Sequence, residues 1–469
     1  MGVRSVVFAL AAVLAAPVTT AQSAPDWPAA DAETLKHFQA LLRFDTSDPP
    51  GNERDAADYL KQVLEREGIP VETFALAGQD HRPNVVARLK GNGSRRPLLL
   101  MGHTDVVTVD PDKWTHPPFG GAREGGHVYG RGTLDDKDNV TASLMTLLLL
   151  KRLNVPLARD VIFLAESGEE GSTGVGIRFM VDNHFASIDA EYCLAEGGGV
   201  RREGGVVQYA SVQTTEKIPR RIDLTATGVS GHASVPLETN ALVHLATAIE
   251  KVARWEAPIR LNETTATYFQ RLAAISTPDD AARYRDVLDP AKAREVDRYF
   301  RTHDPRHAAI LHTTASPTLL EAGRRINVIP SDAKATIDVR TLPDEDPAEI
   351  LSLIRDVIDD PTVNVEYGAR DVRPAGLSRL DSEAFRVIEA AARRIYDTVT
   401  IPTMGTGGTD MAYLRARGVQ CYGIGPAADG EDPPRGFGAH SDQERILESE
   451  LYRFVRFNWD IVTTLAAVR

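Results

Sequence analysis

Five separate stretches of the chain carry side chains that could do chemistry together. "RPLLLMGHTDVV" is an apolar run that ends in His103 and Asp105, one residue apart. On a strand such residues face the same side, so one could bind a group while the other holds it in place. Asp135 lies in "GRGTLDDKDN", the adjacent pair Glu169 and Glu170 in "ESGEEGSTG", Glu196 in "CLAEGGG" and His440 in "GFGAHSD". Each has an ordinary reading. Carboxylates in glycine-rich loops cap helices or solvate turns, and an isolated loop histidine is commonly a surface residue. Taken together, His103, Asp135, Glu170, Glu196 and His440 form a set of candidate metal ligands drawn from distant parts of the chain.

The elements that must position them alternate between helix and strand. "DAETLKHFQALLRF" and "ERDAADYLKQVLERE" have helical periodicity, and "PVETFAL", "NVVARLKG" and "PLLLMGHTDVV" read as strands. The apolar helix "NVTASLMTLLLLKRL" leads to the strand "DVIFLAESGEEGS", then to the helix "GVGIRFMVDNHF" and the strand "AEYCLAEGGG". This order predicts an α/β layer with a mostly parallel central sheet. Ligands of such sheets bind beyond the carboxyl ends of the strands, where His103, Glu169, Glu170 and Glu196 all fall.

From about Thr214 the pattern changes. An alternating strand ("RRIDLTATGVSGHAS") precedes a helix ("NALVHLATAIEKVARW") and a charged helical stretch from Pro278 to His312. "PTLLEAGRRINVIPSDAKATIDVRTLP" reads as two strands joined by a turn, followed by a helix and the strand "TVNVEYG". The α/β pattern then resumes. The expectation is two domains: an α/β domain over 22–214 and 373–469, and a smaller α+β domain over 215–372 inserted into it.

Composition narrows the partners. A chain of 469 residues, 42% hydrophobic and 25% charged, is that of a folded protein too long for one ordinary core. A net charge of −13 argues against nucleic acid or an anionic membrane surface, both of which need basic patches. The start reads as a secretory signal: Arg4, an apolar run from Val6 to Ala16, and small residues before a cut after Ala21. That predicts a secreted or periplasmic protein. The two cysteines, Cys193 and Cys421, both lie in apolar sequence and read as separate buried thiols.

In order along the chain, "GHTDVV", "YGRGTLDDK", "GEEGSTG", "AEGGG", "GVSGHASVP", "INVIP" with "DVRTLP", "GTGGTD" and "GAHSD" resemble one family. It is the family of di-zinc peptidases and amidohydrolases that includes aminoacylase, carnosinase, bacterial glutamate carboxypeptidase and carboxypeptidase S, with the last branch most similar. The resemblance implies two Zn2+ per subunit, with Co2+ or Mn2+ admitted by the same ligand types. Asp135 would bridge the two ions, His103 and Glu196 would complete one, and Glu170 and His440 the other. Asp105 would orient His103, and Glu169 would be the general base. The peptide bond between Asp135 and Asp136 would be cis.

The same resemblance makes the inserted domain a lid, and the surface through which a homodimer would form. His232 in "SGHAS" would stabilise the developing oxyanion, on lid closure or from a neighbouring subunit. Asn327 and Arg340 would hold the substrate's carboxylate. The implied activity is that of a zinc-dependent carboxypeptidase or dipeptidase cutting the amide bond beside a free carboxylate, with an N-acyl amino acid as the alternative substrate. A non-catalytic metal-binding protein is the rival reading, and it leaves Glu169 unexplained. Two departures from the family pattern are Gly168, where aspartate is common, and Asp138, where glycine is common.

Overall fold

The apolar runs before His103 and Glu169 become fully buried strands, Leu98–His103 and Val161–Glu166, side by side and parallel. Leu98–His103 also pairs in parallel with Tyr192–Ala195, and that strand with Gln420–Gly423. Alternate residues feed two cores, as the strand period requires. Leu98 and Leu100 pack toward the helices Lys137–Arg152, Glu383–Tyr396 and Glu448–Ala466. Leu99 and Met101 pack toward Ile177–Asn183 and Met411–Ala416. This computed structural model describes residues 24–369 and 372–468. The signal expected over 1–21 lies outside them.

Among the described residues this sheet has ten strands and is mixed. Its four central strands are parallel, which brings the ends of three of them, at His103, Glu166 and Ala195, to one edge. Antiparallel strands flank them: Asn84–Leu89 on Val161–Glu166 at one side, and Val206–Glu216 on Gln420–Gly423 at the other. The hairpin that joins Gly199–Glu203 to Val206–Glu216 turns at Gly204 and Gly205, both at positive φ, and adds to the antiparallel flank.

A second sheet is wholly antiparallel, in the order Thr314–Ala322, Asp332–Thr341, Ile218–Thr227, Val363–Tyr367. The helices Ala241–Ala253 and Pro347–Ile358 pack on it around Ile222, Leu224, Ile337 and Ile354. The chain crosses from the first sheet to the second at Lys217, whose buried ammonium donates to the carbonyls of Ala309 and His312 and to Thr314 Oγ1. The charged stretch predicted from Pro278 to His312 forms three helices, Pro278–Asp286, Ala293–His303 and Pro305–Ala309. With Glu263–Ile275 they enclose a core of their own around Phe269 and Phe300.

Two local expectations change. The strand expected to run through "SGHAS" stops at Thr227, and His232 sits in a separate two-residue pairing of Gly231–His232 with Val328–Ile329. That pairing interrupts the two strands expected over 317–343. Cys193 and Cys421 are buried free thiols, as expected, but they are direct partners across adjacent strands rather than remote from one another. Among the described residues no helix is long and apolar enough to cross a membrane.

Candidate metal centre

His103 closes its strand with its side chain almost fully buried, 1% exposed. Its Nδ1 lies 3.0 Å from the backbone carbonyl of Asp105, so Nδ1–H donates there and Nε2 faces the site. Nε2 is 2.9 Å from Asp135 Oδ1. The other oxygen, Asp135 Oδ2, is 3.0 Å from His440 Nε2, and His440 Nε2 is 2.9 Å from Glu170 Oε1. Asp135 thus stands between two imidazoles, one oxygen facing each. The Asp135–Asp136 peptide bond is cis.

Two of the loops that carry these residues are held from other parts of the chain. The Asp105 carboxylate lies 3.6 Å from His103 Nδ1 and also takes three backbone N–H groups. Oδ1 accepts from Gly168 at 2.7 Å and Glu169 at 3.2 Å, and Oδ2 from Glu170 at 3.0 Å. His103 thus hydrogen-bonds to the Asp105 backbone with the Asp105 carboxylate ion-paired beside it, and the same carboxylate shapes the loop that carries both glutamates. Gly168 in that loop has φ +80, and a Cβ there would lie 2.6 Å from the Ser172 carbonyl oxygen, so the turn itself asks for glycine. Glu444 does the same for the Asp135 loop. Its carboxylate is fully buried, pairs with Arg131 at 2.5 Å and accepts the Leu134 N–H at 2.7 Å.

The electrostatics of the site are those of crowded, dry carboxylates. Burial pushes Glu169 up to about 8, against the pull of Arg373, and drives Glu196 well above the usual carboxylate range. Asp136 is pushed to about 7 by burial, offset by His103 and reinforced by Asp135. Asp135 goes the other way: hydrogen bonds from His103 and His440 outweigh its burial and hold it low. Ligand atoms of His103, Asp135 and Glu170 lie within 4.8 Å of one another, as do those of His103, Glu169 and Glu196. Imidazole nitrogens and carboxylate oxygens at this spacing, with more buried acid than base, fit a divalent cation of the zinc type.

Arg340 lines a cavity of about 390 Å3 together with Glu169 and Glu170, and its Nε donates to Asp338 at 2.6 Å. His232 and Asn327 are brought together at the separate pairing of Gly231–His232 with Val328–Ile329, where the Ala233 N–H donates to the Asn327 carbonyl. Both are exposed, and neither hydrogen-bonds to a member of the cluster. Two participants, Glu444 and Arg373, escape sequence reasoning. Arg373, in the unpatterned stretch "DVRPAGL", donates from Nη1 to Glu169 Oε1 at 2.6 Å. Asp138, the second departure, is fully buried beside Asp136, and burial raises its carboxyl well above the usual range.

A family model described as peptidase family M20/M25/M40 matches residues 99–463. A probable carboxypeptidase S-like 2 of Dictyostelium discoideum is 32% identical over 330 residues, covering 68% of this chain and 62% of that protein. The human N-fatty-acyl-amino acid synthase/hydrolase PM20D1 is 30% identical over 332 residues, covering 68% of this chain and 65% of that protein. The matches thus span less than two thirds of either relative. Among solved structures, the M20 family metallo-carboxypeptidase Sso-CP2 from Sulfolobus solfataricus superposes with a TM-score of 0.66 at 20% identity. That superposition covers 92% of this chain and 98% of the other, a likeness of fold.

Proposed function

We propose, because this chain belongs to peptidase family M20/M25/M40, that it is a metal-dependent hydrolase of amide bonds. It would act beside a free carboxylate, in a dipeptide or short peptide, or in an N-acyl amino acid. The observation that carries this reading is Asp135, with its two oxygens 2.9 and 3.0 Å from the Nε2 atoms of His103 and His440. His103 and Glu196 would hold one Zn2+, Glu170 and His440 the other, and Asp135 both. Bound there, the metal pair would acidify a water molecule and polarise the scissile carbonyl.

The remaining work falls to the chain's own side chains. The Glu169 carboxylate takes the proton of the attacking water and returns it to the leaving nitrogen. Arg340 grips the substrate's carboxylate in exchange for Asp338, helped by Asn327. His232 donates to the developing oxyanion once the second sheet closes over the site or a neighbouring copy supplies it. Leu319 and Leu320, 59% and 60% exposed on the edge strand Thr314–Ala322, support pairing of two copies along that edge. The leader read at 1–21 supports a secreted or periplasmic location.

Peptidase action is the first reading. Hydrolysis of N-acyl amino acids by the same residues is the second, supported by similarity to the human N-fatty-acyl-amino acid synthase/hydrolase. One experiment addresses both: a mixed pool of dipeptides and N-acyl amino acids, followed by mass spectrometry. Chelation is expected to abolish hydrolysis and added Zn2+ to restore it. Turnover that survives metal depletion removes the metal mechanism, and the class that is consumed decides between the two readings.

A further inference from the structure

The cavity over Glu169 contains a cation to which the reading above assigns no task. Arg373 lies in the segment that returns from the second sheet to the first, and its guanidinium is clamped on Glu169. Nη1 donates to Oε1 at 2.6 Å, and Nη2 donates to the Glu169 carbonyl oxygen at 3.0 Å. A second anion waits beside it. Asp410 Oδ1 is 3.6 Å from Nη2, beyond hydrogen-bonding distance. Asp410 is 1% exposed, and neither of its oxygens accepts a hydrogen bond from the described residues. The cavity is also lined by Arg340, itself paired with Asp338. Opposite Arg373 is Gly408, where a Cβ would come within 3.0 Å of Arg373 Cδ, so glycine keeps that side open to the arginine.

We propose that Arg373 is a specificity-determining residue whose guanidinium leaves Glu169 for a carboxylate carried by the substrate, with Asp410 as its second seat. Glu169 then becomes free to move protons only when an anionic substrate is in place. This rests on the reading of Glu169 as the general base. The exchange replaces one guanidinium–carboxylate pair by another of the same kind, so it has little net cost. Movement toward Asp410 gives a buried carboxylate the charged donor it lacks. Without a substrate anion, departure would leave Glu169 unpaired in a dry site with no new pair at a substrate carboxylate to offset it, which is unfavourable. An uncharged substrate therefore meets an occupied base.

The test compares wild type with Arg373→Ala and Arg373→Lys on an N-acyl amino acid and on its carboxamide. In Arg373→Ala, kcat for the carboxamide is expected to rise while KM for the acid rises. The acid-over-amide preference in kcat/KM should shrink by roughly 10- to 100-fold, the scale of one charge-assisted contact. Arg373→Lys keeps the charge without the two-pronged grip and should fall between, with an unchanged melting temperature. Equal losses on both substrates, with the preference intact, would make Arg373 a structural strut and overturn the proposal.

A second measurement does not depend on turnover. Calorimetry on the chelated protein, with N-acetyl-leucine and its carboxamide as probes, should show Arg373→Ala weakening only the acid. Equal weakening of both, or of neither, overturns the proposal. Wild-type protein that cleaves neither substrate would refute the second reading of the function, hydrolysis of N-acyl amino acids, and the binding comparison would still judge Arg373.

Discussion

Replacing Asp105 with asparagine should loosen the loop of the two glutamates without changing its shape. The Asp105 carboxylate is fully buried and holds Gly168 and Glu169 on one oxygen and Glu170 on the other. Asparagine is nearly isosteric and keeps one oxygen, enough for Gly168 and Glu169. Its amide nitrogen then faces the Glu170 N–H, donor against donor. A buried N–H left without an acceptor costs about 1–3 kcal/mol, and the two bonds that survive lose the strengthening of an ionised acceptor. The opposite amide orientation would set the donor against two N–H groups instead, which is worse. Urea denaturation of the metal-free variant should therefore show a loss of about 3 kcal/mol. Because Glu170 is a candidate ligand, Zn2+ affinity should also fall by about 10- to 100-fold, read by competition with a chromophoric chelator. Stability within about 0.5 kcal/mol of wild type, the range of an inconsequential surface change, together with undiminished affinity, would refute this account of Asp105.

Two further substitutions probe other parts of the frame. Glu444→Ala leaves Arg131, 2% exposed, as a buried charge without its carboxylate, and should cost about 3–5 kcal/mol. A thermal melt that barely moves would remove Glu444 as the anchor of the Asp135 loop. His244→Gln breaks the pair of His244 with Asp360, 2.6 Å apart. Hydrogen bonds from Thr362 and then His244 hold the Asp360 carboxyl down at about 2, so its contribution is present above the unfolded carboxylate range and lost as pH falls toward 2. The hydrogen bond to Asp360 raises His244, so its contribution is complete below the unfolded histidine value of about 6.5 and lost as pH rises through the folded one. The stability difference between wild type and His244→Gln should peak near about pH 5 and stay at or below about 1 kcal/mol, because the pair is partly exposed. Denaturation midpoints that differ equally at every pH would contradict it.

The candidate site positions at strand ends were legible because strand ends are marked twice, by the stop of an apolar run and the start of a polar turn. That holds for His103, Glu169, Glu170 and Glu196. Asp135 and His440 have no such periodicity and were legible only through the motifs around them. Asp105 was legible as the neighbour of His103, and its carboxylate lies 3.6 Å from Nδ1, but the strand ends at His103 and the turn also aims that carboxylate at the 168–170 backbone, which periodicity does not show. The antiparallel flanks could not be read from periodicity, because pairing between Val206–Glu216 and Gln420–Gly423 joins segments far apart in sequence. Arg373 and Glu444 are invisible for the same reason. Each acts on a partner brought near only by the completed sheet, and neither sits in a local pattern that distinguishes it from a loop residue.

The place of Gln420–Gly423 in the large sheet has a consequence for how the protein is made. This strand is inserted between Tyr192–Ala195 and Val206–Glu216, which are close in sequence but not adjacent in the sheet. A nascent chain that has finished both earlier strands must therefore leave the seam between them open. The interval before the closing strand emerges lasts on the order of tens of seconds at ordinary rates of elongation. His440 and Glu444 follow it still later. The carboxylates around His103 are thus in water while most of the chain is being synthesised, and they become buried only as the last segments arrive. The candidate centre is closed from the far end of the polypeptide, so any metal it takes up would be captured late in the making of each molecule.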